Sequence, residues 1–201
     1  MNKSSTRGFG LFEKFLSYQR IEMANSLIPE KSRAGRVLDI GCGFYPLFLV
    51  NTFFKEKYGV DKMFHHQGIE HNSVLNITSI KKDIESDPIL PFQDNFFSVV
   101  TALAMVEHVK PTPAIELFKE IKRVLEPGGV YIITTPSPWT ETILKTLSLV
   151  RLVSPVEIKD HKDLYSKEIL ANFLQNAGFE KDKISSGHFE LGMNTWVKAE
   201  K

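Results

Sequence analysis

Arg36-Val37-Leu38-Asp39-Ile40-Gly41-Cys42-Gly43-Phe44-Tyr45-Pro46 decides how this chain is to be read. Residues 37–40 are apolar and partly β-branched, with one carboxylate near the end, which predicts a short buried strand. The glycines at alternate positions then allow a tight turn and let a ligand come close to the main chain. Pro46 suits the first turn of a helix and Leu47-Phe48-Leu49-Val50 continues it, so a helix over residues 46–55 is expected. Strand, glycine turn and helix start together predict a nucleotide or cofactor site at the carboxyl edge of a parallel sheet.

The residues around the turn select the ligand. A dinucleotide-binding turn has a third glycine where Pro46 stands. Asp39 places a carboxylate at the strand end, which repels a pyrophosphate and suits a ligand carrying an ammonium group. Asp39-Ile40-Gly41-Cys42-Gly43 resembles the first motif of the class I S-adenosylmethionine-dependent methyltransferases, with Tyr45 where that motif usually has a further glycine. Residues 57–61 read as the next strand and end in Asp61, about twenty residues past the glycines. A carboxylate there offers two acceptor oxygens and no donor, which matches both hydroxyls of a ribose. The resemblance implies the same role for Asp61, with Lys62 in the cofactor-binding set beside it and close backbone approach at Gly41, Cys42 and Gly43. It also implies that Asp83, at the end of a third strand over residues 74–82, accepts the adenine amine. Ile84 would then pack on the ring or donate its backbone N–H.

Residues 96–103 form a fourth strand, apolar along most of its length as for a strand covered on both faces. Ser98 stands where the family often has an aspartate, and a structural role is expected for it. The small residues Ala102 and Ala104 would let the methionyl part of the cofactor lie against the backbone. Met105-Val106-Glu107-His108-Val109 resembles the family's Leu-Glu-His-Leu segment. Histidine is the side chain best suited to proton transfer at physiological pH, so His108 is a candidate general base, although a histidine at a helix start also serves structural ends. A helix over residues 113–125 is stopped by Glu126-Pro127-Gly128-Gly129, which turns into a strand over 130–135; this unit is the second specific match to the family. Ser166 caps a helix ended by Gly178, and strands over 184–189 and 193–199 are joined by a turn near Gly192. The resemblance thus implies an α/β fold: a Rossmann-like, doubly wound, seven-stranded sheet, mostly parallel with an antiparallel C-terminal hairpin.

Two segments lie outside these motifs. Leu11, Phe12, Phe15, Leu16, Tyr18 and Ile21 fall at helical spacing, which predicts a helix inside an N-terminal cap over residues 1–35. It either packs on the domain or closes over the cofactor. Residues 136–165 are apolar at Ile143, Leu144, Leu147, Val150, Leu152 and Val153 and leave the carboxyl end of a strand. They are expected to form an inserted lid over the acceptor pocket, with core packing and contact with a membrane surface as the other readings. Asp160 and His161 lie there and join His108 as groups that can help an acceptor lose a proton.

Composition limits what else the chain can be. Its 201 residues suit a single domain over 1–201 with a substantial core. A net charge of +1 without a basic block gives no field for nucleic acid. The single cysteine excludes an internal disulfide, and its place in the glycine turn is explained by small size. His65, His66 and His71 lack companion ligands, so no metal is expected. No apolar stretch approaches the ~20 residues needed to span a bilayer, and residues 1–7 are polar with no secretory core behind them, so a cytoplasmic location is expected. The function these features predict is methyl transfer from S-adenosylmethionine to a small-molecule acceptor, with the acceptor itself open. Two rivals are a nicotinamide-dinucleotide oxidoreductase, disfavoured by Pro46 and the terminal hairpin, and a non-catalytic S-adenosylmethionine-binding partner subunit.

Overall fold

A computed structural model describes residues 11–64, 72–140 and 165–201. Among these residues seven strands occur: β1 Arg36–Ile40, β2 Glu56–Asp61, β3 Ile77–Lys81, β4 Phe97–Leu103, β5 Leu125–Pro136, β6 Ile184–Phe189 and β7 Asn194–Glu200. They form one sheet in the order β3-β2-β1-β4-β5-β7-β6. Pairing is parallel from β3 to β5, and β7 runs antiparallel to both β5 and β6. The strand order reverses between β1 and β4, and ligands of such sheets bind at the carboxyl edge of that reversal.

Each face of the sheet carries its own core. Helices α3 (Pro111–Val124) and α4 (Lys167–Asn176) cover one face with Leu117, Phe118, Ile121, Leu170 and Leu174 against Leu38, Val100, Tyr131 and Ile133. Helices α1 (Leu11–Leu27) and α2 (Leu47–Val50) cover the other with Ile21, Ala24, Phe48 and Leu49 against Val37, Val99, Val130 and Ile132. Ser98 is structural, as expected: its hydroxyl donates to the carbonyls of Ser32 (2.8 Å) and Arg36 (2.9 Å), tying β4 to the approach to β1. Ser166 accepts from the Ile169 N–H at the start of α4, and Gly178 adopts φ +93° just past its end.

Several boundaries differ from the sequence reading. The helix expected over 46–55 is the single turn α2. The strand expected from residue 74 begins at Ile77, because Asn76 takes a left-handed φ of +56° and closes a turn on Ser73. The Pro-Gly-Gly unit does not precede β5 but lies inside it as a bulge: Leu125 pairs with Phe97 and Val130 with Val99, and Gly128 between them has φ +75°. In α1, Ile21 and Ala24 are buried, whereas Phe15 and Tyr18 are 54% and 55% exposed. A step of three residues falls about 60° short of a full helical turn, so an i, i+3 stripe drifts off the packed face.

Candidate active site

The glycine turn leaves β1 with both glycines left-handed, Gly41 at φ +71° and Gly43 at φ +73°. The Gly41 N–H donates to the Val60 carbonyl (2.8 Å), and any side chain at Gly41 would collide with Met105. At Gly43 no atom of the described residues lies within 4 Å of where a Cβ would sit, so this stretch of main chain is accessible. Asp61, at the end of β2, turns its carboxylate onto the same turn. Its Oδ2 accepts from the Gly43 N–H (2.8 Å) and its Oδ1 from the Met63 N–H (2.7 Å). Both oxygens are thereby oriented, and each keeps a lone pair.

Asp39 lies beneath the turn, 3% exposed, and its Oδ1 accepts from the Thr101 hydroxyl (2.6 Å). Burial pushes its carboxyl up to about 7; the Thr101 bond works against this, and the charge of Asp61 adds to it. Two carboxylates flanking one turn form a site that a cation would relieve. The Cys42 thiol is pushed well above its ordinary range, first by burial and then by Asp39 and Asp61. It is a poor nucleophile there and packs over Gly59, where an added Cβ would lie 2.9 Å from its sulfur.

The other residues singled out from sequence are distributed around this edge. Lys62 and Asp83 are exposed, and Asp83 Oδ1 accepts from the Glu85 N–H (3.1 Å), shaping its own turn. Ile84 sends its side chain into the core on the α3 face, and Ala102 is buried on that same face. Ala104 follows β4 in a left-handed conformation, φ +52°, held by its N–H on the Thr134 carbonyl (2.8 Å). That conformation costs a non-glycine residue about 1–2 kcal/mol, and such strain concentrates at functional edges. His108 is half-buried in a 3-10 turn over Val106–His108.

Two features were missed in the sequence. Glu107 turns inward, 1% exposed, and accepts from the Thr135 hydroxyl (3.2 Å), which ties the segment after β4 to β5. Its signal was a pair of threonines, Thr134-Thr135, in an otherwise apolar strand. The start of the segment after β5 is fastened to the turn before β7. Ser137 (2.7 Å) and Trp139 (3.0 Å) donate to the Gly192 carbonyl, and Thr140 (2.6 Å) donates to that of Met193. Asp160, His161 and the apolar residues of the expected lid lie outside the described residues, as do His65, His66 and His71. Among the described residues no group of three His, Cys, Asp or Glu could hold a metal, and no helix is long and apolar enough to cross a membrane. A cavity of about 760 Å³ lined by Phe53, Lys57, Asn76 and Thr78 lies at the amino ends of β2 and β3, the opposite edge from the glycine turn.

Comparison with known proteins gives consistent results. A family model described as a methyltransferase domain matches residues 12–184. The fold is shared with a SAM-dependent methyltransferase from Thermotoga maritima, at TM-score 0.71 and 20% identity over 95% of this chain and 91% of that one. A SAM-dependent methyltransferase from Archaeoglobus fulgidus aligns at TM-score 0.66 and 18% identity, over 95% of this chain and all (100%) of the other. Phosphoethanolamine N-methyltransferase 2 of Haemonchus contortus, solved with phosphomonomethylethanolamine and S-adenosylhomocysteine, aligns at TM-score 0.66 and 17% identity over 92% of this chain and 53% of that one. No curated protein matches the sequence.

Proposed function

The chain belongs to the methyltransferase-domain family as a class I S-adenosylmethionine-dependent enzyme, and from this premise we propose that its acceptor is a small molecule methylated at the carboxyl edge of β1, β4 and β5. The observation that carries the reading is the Asp39–Gly43–Asp61 arrangement. A buried carboxylate with its pKa pushed up to about 7, an accessible glycine backbone and an oriented second carboxylate fit a ligand that joins an ammonium group to a ribose.

In this proposal Asp39 receives the ammonium of the cofactor, and Asp61 accepts the two ribose hydroxyls. The main chain of Gly41, Cys42 and Gly43 lies against the cofactor because no side chain intervenes at Gly43. Asp83 and Ile84 serve the adenine, with Lys62 at the rim, and the small size of Ala102 keeps the edge of β4 free. S-adenosylmethionine supplies a methyl group already activated on a sulfonium. The protein therefore has to align the acceptor atom and exclude water rather than form covalent bonds. Where the acceptor must lose a proton, His108 is the base of choice in the segment after β4, since the neighbouring Glu107 is committed to Thr135.

Net charge supports the small-molecule reading, because +1 without a basic track offers little to nucleic acid. The test is to incubate the protein with methyl-labelled S-adenosylmethionine and, separately, a metabolite pool, a protein pool and an RNA pool. Label is expected in the metabolite fraction. Label confined to protein or RNA would overturn the proposal.

A further inference from the structure

Three buried polar side-chain atoms on or beside the α1 face have no hydrogen-bond partner among the described residues: Arg20 Nε, Thr134 Oγ1 and Glu190 Oε1. They come from α1, β5 and the turn before β7, and the packing brings them to one end of that face. Ile132 packs with Ile21 and Ala24 in the core under α1. Thr134 lies one pleat beyond Ile132 toward the carboxyl edge, and Arg20 lies one turn before Ala24 along the helix. Lys198 donates to the Leu27 carbonyl (2.9 Å), fixing the far end of α1 beside β7. Four residues back along β7, Asn194 donates to Glu190 Oε2. Burial pushes the Glu190 carboxyl up, and Asn194 and the Arg20 charge pull it down.

This corner is also held in a costly conformation. Glu190 and Leu191 are both left-handed, φ +51° and +56°, and the turn is clamped by Ser137, Trp139 and Thr140. Native folds rarely leave several buried polar atoms unpaired in one place unless something else pairs them. Arg20 and Glu190 attract each other as charges, yet Arg20 Nε and Glu190 Oε1 make no hydrogen bond among the described residues, and with the Thr134 hydroxyl, which can donate or accept, they define a partner of opposite pattern. That partner carries an acceptor oxygen and a donor nitrogen and has no net charge.

We propose that Arg20, Thr134 and Glu190 form the head-group subsite for the methyl acceptor, and that this acceptor is a small zwitterion with its carboxylate on Arg20 and its ammonium on Glu190. The inference rests on the cofactor reading given above. Thr134 shares a sheet face with Asp39 and Thr101 and stands two strands from β1, about 10 Å away across the sheet. That is a span suited to a donor and an acceptor side by side.

The chain's two tryptophans report on this corner: Trp196 pairs with Thr134, and Trp139 donates to Gly192. Protein saturated with S-adenosylhomocysteine is titrated with glycine, β-alanine and γ-aminobutyrate, and with butylamine and butyrate as one-charge controls, while tryptophan emission is followed. At least one zwitterion should saturate the signal with a Kd at least tenfold below both controls. Arg20→Met should reduce its affinity to that of butylamine and Glu190→Gln to that of butyrate, with S-adenosylhomocysteine affinity unchanged in both variants. Equal affinities, no saturable response, or variants that bind as the parent does would overturn the subsite. Failure of S-adenosylhomocysteine itself to bind would instead remove the cofactor reading on which the subsite stands.

Discussion

Asp39→Asn should make the ligand-free protein more stable while weakening its hold on the cofactor. Asp39 is 3% exposed, and its carboxyl is pushed from an ordinary 3.8 to about 7, chiefly by burial. Between those two values the folded chain holds a proton that the unfolded chain has released, so stability falls as pH rises through that window. Each unit is worth about 1.36 kcal/mol. The cost of keeping aspartate there thus grows from about 2 kcal/mol at pH 5 to on the order of 4 kcal/mol above pH 7. Asparagine is nearly isosteric, still accepts from the Thr101 hydroxyl, and never ionises. For a chain of this size, that predicts a rise in Tm of roughly 5–15 °C at pH 8 and a much smaller one at pH 5. Cofactor affinity moves the other way. If the cofactor's ammonium pairs with ionised Asp39, the parent must lose its proton to bind, and affinity should improve about tenfold from pH 6 to pH 8. Asp39→Asn should abolish this pH dependence and bind less tightly at pH 8. Calorimetric scans and titrations across this range test both halves. A variant that melts at or below the parent temperature at pH 8, or that keeps the parent's pH-dependent affinity, would refute the reasoning.

Five further substitutions probe separate parts of the account. Asp61→Ala should leave Tm within a few degrees and weaken S-adenosylhomocysteine about tenfold to a hundredfold, from the loss of charged hydrogen bonds of about 1.5–3 kcal/mol; unchanged affinity would remove Asp61 from the site. Gly41→Val should destabilise the fold more than Gly43→Val, since both strain a left-handed position but only the first also meets Met105, whereas Gly43→Val should chiefly block binding; the contrast is read by comparing Tm with titration. Ser98→Ala should lower stability by about 1–3 kcal/mol in urea unfolding, because the carbonyls of Ser32 and Arg36 lose their buried donor. His108→Gln should slow turnover of an identified acceptor by about 10²–10⁴ without altering cofactor affinity, and equal turnover would exclude it as the base.

How much of this was legible in the sequence depends on how local each signal was. Val37–Gly43 and Asp61 could be read because a buried strand, a left-handed turn and a strand-end carboxylate each leave a mark within a few residues. The structure brings them together through the Gly43–Asp61 hydrogen bond. The seven strands were visible for the same reason, and the terminal antiparallel pair followed from the family resemblance. The short α2 was not foreseen, since Leu47-Phe48-Leu49-Val50 reads the same whether one turn or three follow. Which residues of α1 face inward could not be told, because Phe15 and Tyr18 continue the apolar stripe of Ile21 yet helical drift carries them outward. Glu107 with Thr135, and Arg20 with Thr134 and Glu190, could not be paired from sequence. Each set joins residues 28 or more positions apart, and only the sheet order brings them to one edge.

The central claim is that the carboxyl edge around Gly41, Gly43, Asp39 and Asp61 is built for S-adenosylmethionine, and isothermal titration calorimetry tests it most directly. The protein is titrated at pH 6, 7 and 8 with S-adenosylmethionine, with S-adenosylhomocysteine and with NADH, in buffers of different ionisation enthalpy. The account predicts one saturable site for the first two, with proton release at pH 6 that fades by pH 8, and no binding of NADH. Binding of NADH in preference, or S-adenosylmethionine binding with no proton released at pH 6, would contradict it.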